Sequence, residues 1–217
     1  METIESIRIP GKRARTRYAL VEAALTMVAE QGPEAASIDD LVRRAGLARG
    51  TFYNYFQSWD EVLSAVAAHM DERFHQSVES RLQPDWDAPT TLACLVRGFI
   101  QTGIDDPRLG WAWARIGGGM HWLLANRPPT RRSAEIALGA LIGDRMSPTA
   151  AFCLLAGTAF MTLRRVLEGL VQPDEIESII GMTLRGLGAP GAQIAPALRI
   201  AREFAAPQKS GFSLVRS

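Results

Sequence analysis

The chain has 217 residues, 47% hydrophobic and 22% charged, with a formal net charge of +1. That composition fits a soluble globular protein with room for a small domain joined to a larger one. Cys94 and Cys153 lie far apart with no CxxC spacing, which excludes a disulfide framework and points to buried, inert thiols in a reducing compartment.

The N-terminus is polar and acidic before it turns basic, so it does not read as a secretory signal. Arg8, Lys12, Arg13, Arg15 and Arg17 then fall within ten residues that contain no acid. From Lys12 to Gln31, Leu20, Val21, Ala24, Leu25 and Val28 form the one-sided stripe of an amphipathic helix. Gly32 and Pro33 end it. Ser37 can cap a short helix from Ile38, with Asp40 closing a capping box, and Gly46 stops that helix. A second short helix is expected from Ala48 to Tyr55.

Ser58 and Glu61 form another capping box, opening a helix from Trp59 to about Leu82. Further helices are expected at 90–104, 108–125, 130–145, 148–171, 173–187 and 191–205. Pro107, Pro128, Pro129, Pro148, Pro173 and Pro190 stand at the junctions. No alternating strand pattern of useful length occurs, so the expected fold class is all-α, with mobile ends at 1–9 and 207–217. The longest apolar run, 150–163, is shorter than the roughly 18–20 residues a membrane span needs. No membrane role is expected, and the localisation reads as cytoplasmic.

The informative segment is 37–56. Two short helices around a glycine turn pack steeply and present the second to a DNA major groove. Leu41, Val42, Ala45, Leu47, Phe52 and Phe56 have the spacing to bury the shared face. Arg49, Thr51, Tyr53, Asn54 and Tyr55 are left facing outward. Those side chains suit a DNA-reading surface, because arginine pairs with guanine or phosphate, asparagine reads adenine, and hydroxyls reach phosphates. Gly50, lacking a side chain, lets the backbone approach a phosphate closely.

Residues 12–63 resemble the N-terminal domain of the tetracycline-repressor (TetR) family. The resemblance is carried by the run from Ala45-Gly46-Leu47 through Gly50-Thr51-Phe52-Tyr53-Asn54-Tyr55-Phe56 to Ser58-Trp59-Asp60-Glu61. Arg185-Gly186-Leu187-Gly188 is similar to the end of many members. The resemblance implies a three-helix DNA-binding domain at 10–57 and a larger helical regulatory and dimerisation domain at 58–206. It makes Arg49, Gly50, Thr51, Tyr53, Asn54 and Tyr55 candidate contacts to a double-stranded DNA operator, with Arg44 as a candidate phosphate contact. Two residues depart from the family pattern. Ala48 replaces a capping serine or threonine, a loss of about 1 kcal/mol to that helix. Trp59 replaces a lysine, which shifts phosphate binding toward the basic stretch at 8–17.

The resemblance also implies a homodimer, since such readers address two half-sites. The helix at 148–171 is apolar nearly all round and must be buried, in a core or at an interface. Family resemblance favours an interface with 173–187. The central helices carry Trp86, Phe99, Trp111, Met120 and Trp122, with Arg115 and His121 as polar groups, a set suited to a largely apolar or aromatic effector. Arg97 is a further polar candidate. Gly117-Gly118-Gly119 marks a weak point of the helix at 108–125, read either as a hinge at the pocket or as close packing. No cofactor, metal site or catalytic motif is expected: His69, His75 and His121 lack ligand spacing, and no nucleophile elbow or dinucleotide fingerprint occurs. The function expected is a ligand-responsive repressor. The alternative is a helical small-molecule carrier or enzyme with a vestigial helix-turn-helix.

Overall fold

The computed structural model describes residues 11–116 and 131–206, and all regular structure among them is helical. The elements are α1 (Lys12–Gln31), α2 (Ile38–Ala45), α3 (Arg49–Phe52), α4 (Trp59–Ser77), α5 (Ala88–Asp105) and α6 (Pro107–Ile116). Beyond residue 130 come α7 (Arg131–Ile142), α8 (Pro148–Leu167), α9 (Glu175–Gly186) and α10 (Gly191–Ala205). A 3-10 turn, Glu79–Arg81, follows α4. The all-α expectation therefore stands, with several ends shifted.

The α4 helix stops at Ser77 rather than near Leu82, because Val78 leaves helical geometry (φ −124°, ψ −66°) before the 3-10 turn. The α8 helix ends at Leu167 rather than 171. Gly169 takes a positive φ there, and the N–H groups of Leu170 and Val171 both turn back to the Arg165 carbonyl. The second helix of the helix-turn-helix is four residues long instead of eight. The helix expected at 108–125 is described only as far as Ile116. Gly117–Gly119 and the expected mobile ends, 1–9 and 207–217, lie outside the described residues.

The chain divides into two compact units. The first gathers α1, α2 and α3 with residues 59–73 of α4 and with α6. Its interior is built from one face of each helix: Leu20, Ala24, Leu25 and Val28 of α1, Leu41 of α2, Val62 and Val66 of α4, and Leu109 and Ala112 of α6. Within this unit α6 packs along α1. Glu22 of α1 ties three helices together: His69 Nε2 of α4 lies 2.8 Å from one carboxylate oxygen and Arg108 Nη2 of α6 2.8 Å from the other. Arg108 also donates to Thr26 Oγ1 at 3.2 Å. The Glu22 carboxylate thus lies within ion-pair reach of a side chain on each of α4 and α6.

The second unit is organised on α5, which α7, α8, α9 and α10 all contact. The α5 helix is buried over Leu92–Val96 and again at Phe99 and Ile100. Gly98 permits a close approach: a Cβ there would come within 2.9 Å of Val78 Cγ1 and 3.0 Å of Phe204 Cε1. Cys94 is buried on this helix, and burial pushes its thiol up to about 12, as an inert core cysteine should behave. Cys153 departs from expectation. It is free and exposed on α8, because the face of α8 that carries it is not covered by the described residues.

Candidate nucleic-acid interface

The local architecture of residues 37–61 follows from caps at each joint. The Ser37 hydroxyl accepts from the Asp40 N–H at 3.2 Å and donates to the Asp40 carboxylate at 2.6 Å, fixing the start of α2. At its other end Gly46 adopts the left-handed conformation (φ 66°, ψ 31°). The Gly46 N–H bonds to the Arg43 carbonyl and the Leu47 N–H to the Val42 carbonyl at 2.9 Å. This paired closure satisfies the last carbonyls of α2 and turns the chain sharply toward α3. The Ser58 hydroxyl accepts from Glu61 N–H at 3.2 Å, and the Glu61 carboxylate accepts from Gln57 N–H at 2.6 Å. The α4 helix is thereby capped from both sides.

Between these caps, α3 is anchored from inside. Phe52 and Phe56 are fully buried, 6.0 Å apart by ring centroid, and Tyr53 meets Phe52 edge-on at 5.2 Å. Ala48 offers no side-chain cap, as the sequence implies, and regular helix ceases at Phe52. The chain continues in tight turns, with Asn54 N–H bonded to the Thr51 carbonyl and Tyr55 N–H to the Phe52 carbonyl. Tyr53, Asn54 and Tyr55 are thus presented from a turn rather than from a helix.

Of the expected DNA contacts, Arg49, Gly50, Tyr53 (43% exposed) and Asn54 are exposed, while Thr51 and Tyr55 are half-buried at the edge of the same surface. Arg44 is exposed but committed: its Nη1 and Nη2 each lie 2.7 Å from a carboxylate oxygen of Glu30. The Arg44 guanidinium holds the Glu30 carboxyl below its ordinary range. This fork joins the end of α2 to the end of α1, a structural use that reading the helix ends alone did not anticipate. Trp59 likewise has a structural role. Its indole N–H donates to the Pro33 carbonyl at 2.9 Å, tying the start of α4 to the α1–α2 turn.

Three residues gain importance from the structure. Arg13 Nη2 reaches the Asn54 carbonyl at 3.4 Å, and Lys12, Arg13, Asn54 and Tyr55 line one open groove. The Arg17 guanidinium sits 4.8 Å from the Phe56 ring centroid. Asp39, on the first turn of α2, bonds Arg49. The first two belong to the basic stretch noted in sequence. The Asp39 pairing spans ten positions across a turn, which no helical spacing rule would find.

The proposed effector residues do not gather in one unit. Trp86 and Phe99 belong to the second unit, where Trp86 meets Phe204 at 5.9 Å, and Phe99 meets Phe74 at 5.9 Å and Phe160 at 4.9 Å. Trp111 and Arg115 belong to the first, with the Arg115 guanidinium 5.5 Å from the Trp111 ring. Met120, His121 and Trp122 lie outside the described residues. Arg97 is turned toward protein: it lies 3.6 Å from Glu177 and donates to Gln101 at 2.9 Å.

A capped helix and a short uncapped one joined at a left-handed glycine turn, with an aromatic anchor inside and an arginine-tyrosine-asparagine surface outside, define a helix-turn-helix DNA-binding domain. The model for bacterial regulatory proteins of the tetR family matches residues 20–66, so this segment is similar to the N-terminal part of that family. It is 36% identical over 77 residues to the HTH-type transcriptional regulator YvdT of Bacillus subtilis, covering 36% of this chain and 40% of that one. It is 30% identical over 106 residues to BetI of Klebsiella pneumoniae, covering 48% and 54%. The matches thus span about half or less of these relatives. Over the whole length the fold is similar to RolR in complex with its ligand resorcinol (25% identity, TM-score 0.59, 91% of this chain and 96% of that one). It is also similar to a TetR-like regulator of a Rhodococcus species (18% identity, TM-score 0.64, 84% and 100%).

Proposed function

We propose that the protein is a cytoplasmic, homodimeric transcription repressor that binds a double-stranded operator through α3 and the turn after it, and leaves it when a small, largely apolar or aromatic effector binds. One observation carries the DNA reading. Residues 49–55 are pinned from inside by Phe52 and Phe56 while Arg49, Gly50, Tyr53 and Asn54 face solvent with groups suited to base edges and phosphates. The direct test is operator selection from genomic fragments, followed by a variant carrying Arg49→Ala and Tyr53→Phe. An arginine-guanine pair contributes about 1–3 kcal/mol and a hydroxyl bond about 1 kcal/mol, so operator affinity should fall about 100-fold. Effector affinity should be unchanged. Equal operator affinity of the two proteins would refute the assignment.

Gly50 supplies an independent check. It is helical and exposed, its φ is not positive, and a Cβ built on it meets nothing within 4 Å. Nothing inside the protein requires glycine there. Gly50→Ala should therefore raise unfolding stability by about 0.4–1 kcal/mol, yet weaken operator binding by about tenfold, equivalent to 1.4 kcal/mol, by holding the backbone off a phosphate. Thermal denaturation and a binding titration on the same sample must move in opposite directions.

The dimer is supported by the outer face of the second unit. The α8 helix is 20 residues long with a mean hydropathy of 1.4 over its most apolar window, enough by length and composition to cross a membrane, but only 33% of that window is buried. The expectation from the uninterrupted apolar run at 150–163 missed this because the helix continues through Arg164 and Arg165 to Leu167. Leu154, Met161 (53% exposed) and Met182 (59% exposed) stand on α8 and α9. The two helices meet where Leu154 of α8 lies against Gly186 of α9. Ser147 caps α8, and Arg164 and Arg165 sit in its last turn, so the apolar face is short and bounded. A second copy of the same face covers it most economically.

The effector class rests on the likeness to RolR, whose ligand is an aromatic diol. A screen of aromatic compounds for release of the operator tests it.

A further inference from the structure

Arg49 does not stand free on the exposed surface. Its Nη1 donates to both carboxylate oxygens of Asp39, at 2.7 and 3.0 Å, across the turn that separates α2 from α3. Both side chains are well exposed, at 59% and 63%, so this pair contributes little to folding. Nor does α2 depend on Asp39 for its N-terminal charge, because Asp40 is adjacent and bonded to the Ser37 cap. On a surface that meets phosphates, a carboxylate repels its partner. A negative charge placed there without folding value calls for a role in recognition.

We infer that Asp39 is a positioning residue for sequence reading, holding the Arg49 guanidinium so that its Nε–Nη2 edge meets O6 and N7 of a guanine in the major groove. The inference rests on the DNA reading above and deepens it to one base. The chemistry is specific. Guanidinium has a planar fork of five donors, and recognition of guanine uses two of them side by side. With Nη1 committed to Asp39, the opposite edge is the one presented. Tyr53 and Asp39 both raise the arginine's pKa above its ordinary value. An unrestrained arginine at this position would reach phosphates and several bases equally. The anchored one reads a single pair, exchanging a little general affinity for selectivity.

The test uses the full chain and a randomised duplex library, selected at one fixed salt concentration, with wild type, Arg49→Ala, Asp39→Asn, Asp39→Ala and the Asp39→Ala, Arg49→Ala double variant. Asp39→Asn keeps the shape of the side chain, and circular dichroism verifies folding of every variant. Wild type should prefer guanine at one position, and Arg49→Ala should abolish that preference. Both Asp39 variants should still bind DNA, with binding to arbitrary duplex strengthened, while the guanine preference at that same position falls about tenfold. The double variant should show the same lack of base preference at that position as Arg49→Ala alone. The inference is overturned if the Asp39 variants keep the full preference, lose affinity uniformly for all sequences, or change selectivity at a different base pair. A wild-type chain that selects no sequence removes the DNA reading itself, a separate outcome from selection that ignores Asp39.

Discussion

Phe52→Ala should unfold the helix-turn-helix. The ring is fully buried and contacts both Phe56 and Tyr53. Truncating a buried phenylalanine costs about 3–5 kcal/mol, against the roughly 5–15 kcal/mol that holds a typical domain together. The α3 helix has only four residues and no side-chain cap, so nothing local sustains it once its anchor is gone. The expected result is a much earlier denaturation midpoint and loss of operator binding together, read by circular dichroism and a binding titration. This coupled loss contrasts with Gly50→Ala, where stability and binding part company. Retained α3 structure and affinity in Phe52→Ala would show that the reading surface is held by something other than its aromatic anchor.

Met161→Glu should separate the proposed dimer into monomers. Met161 stands 53% exposed on an apolar helix of which a third is buried within the chain. In a two-fold interface the substitution occurs twice. Each copy forfeits about 1.5–3 kcal/mol of methionine burial, and two carboxylates are brought into an apolar contact. The dimer dissociation constant should rise at least about 100-fold, equivalent to 2.7 kcal/mol, while the monomer's own unfolding transition hardly moves. Sedimentation at several concentrations distinguishes this from misfolding. Operator affinity should fall with it, since a single reading head addresses one half-site. An unchanged association state would place the partner surface elsewhere.

Much of the reading end was legible in the amino-acid order because its determinants are local. Ser37, Gly46 and Ser58 act within three or four positions of themselves, and the alternation of buried Phe52 and Phe56 with outward Arg49, Tyr53 and Asn54 runs over a stretch of only eight residues. The missing cap at Ala48 was visible, but the early end of α3 at Phe52 was not. What stayed hidden depends on residues distant in sequence. Glu30 occupies Arg44 from fourteen positions away, Asp39 occupies Arg49 from ten, and the Pro33 carbonyl takes the Trp59 indole from twenty-six. A side chain's chemical type shows what it can bind, but only packing shows what has already engaged it. The effector residues were harder still: aromatic clustering along the chain does not distinguish Phe99, packed between Phe74 and Phe160, from a ring that lines a pocket.

The Glu22 carboxylate, shared by His69 and Arg108, bears on how this reading head can be transplanted. A chimera that moves only residues 11–57 onto another regulator leaves that acid without either native partner and strips α1 of the helix formed by 107–116. The recipient would have to supply a cation and an apolar ridge at matching heights, which an unrelated scaffold has no reason to provide. Swaps intended to redirect such a protein to a new promoter should carry 59–73 and 106–116 along, or else change individual outward residues and leave the frame intact.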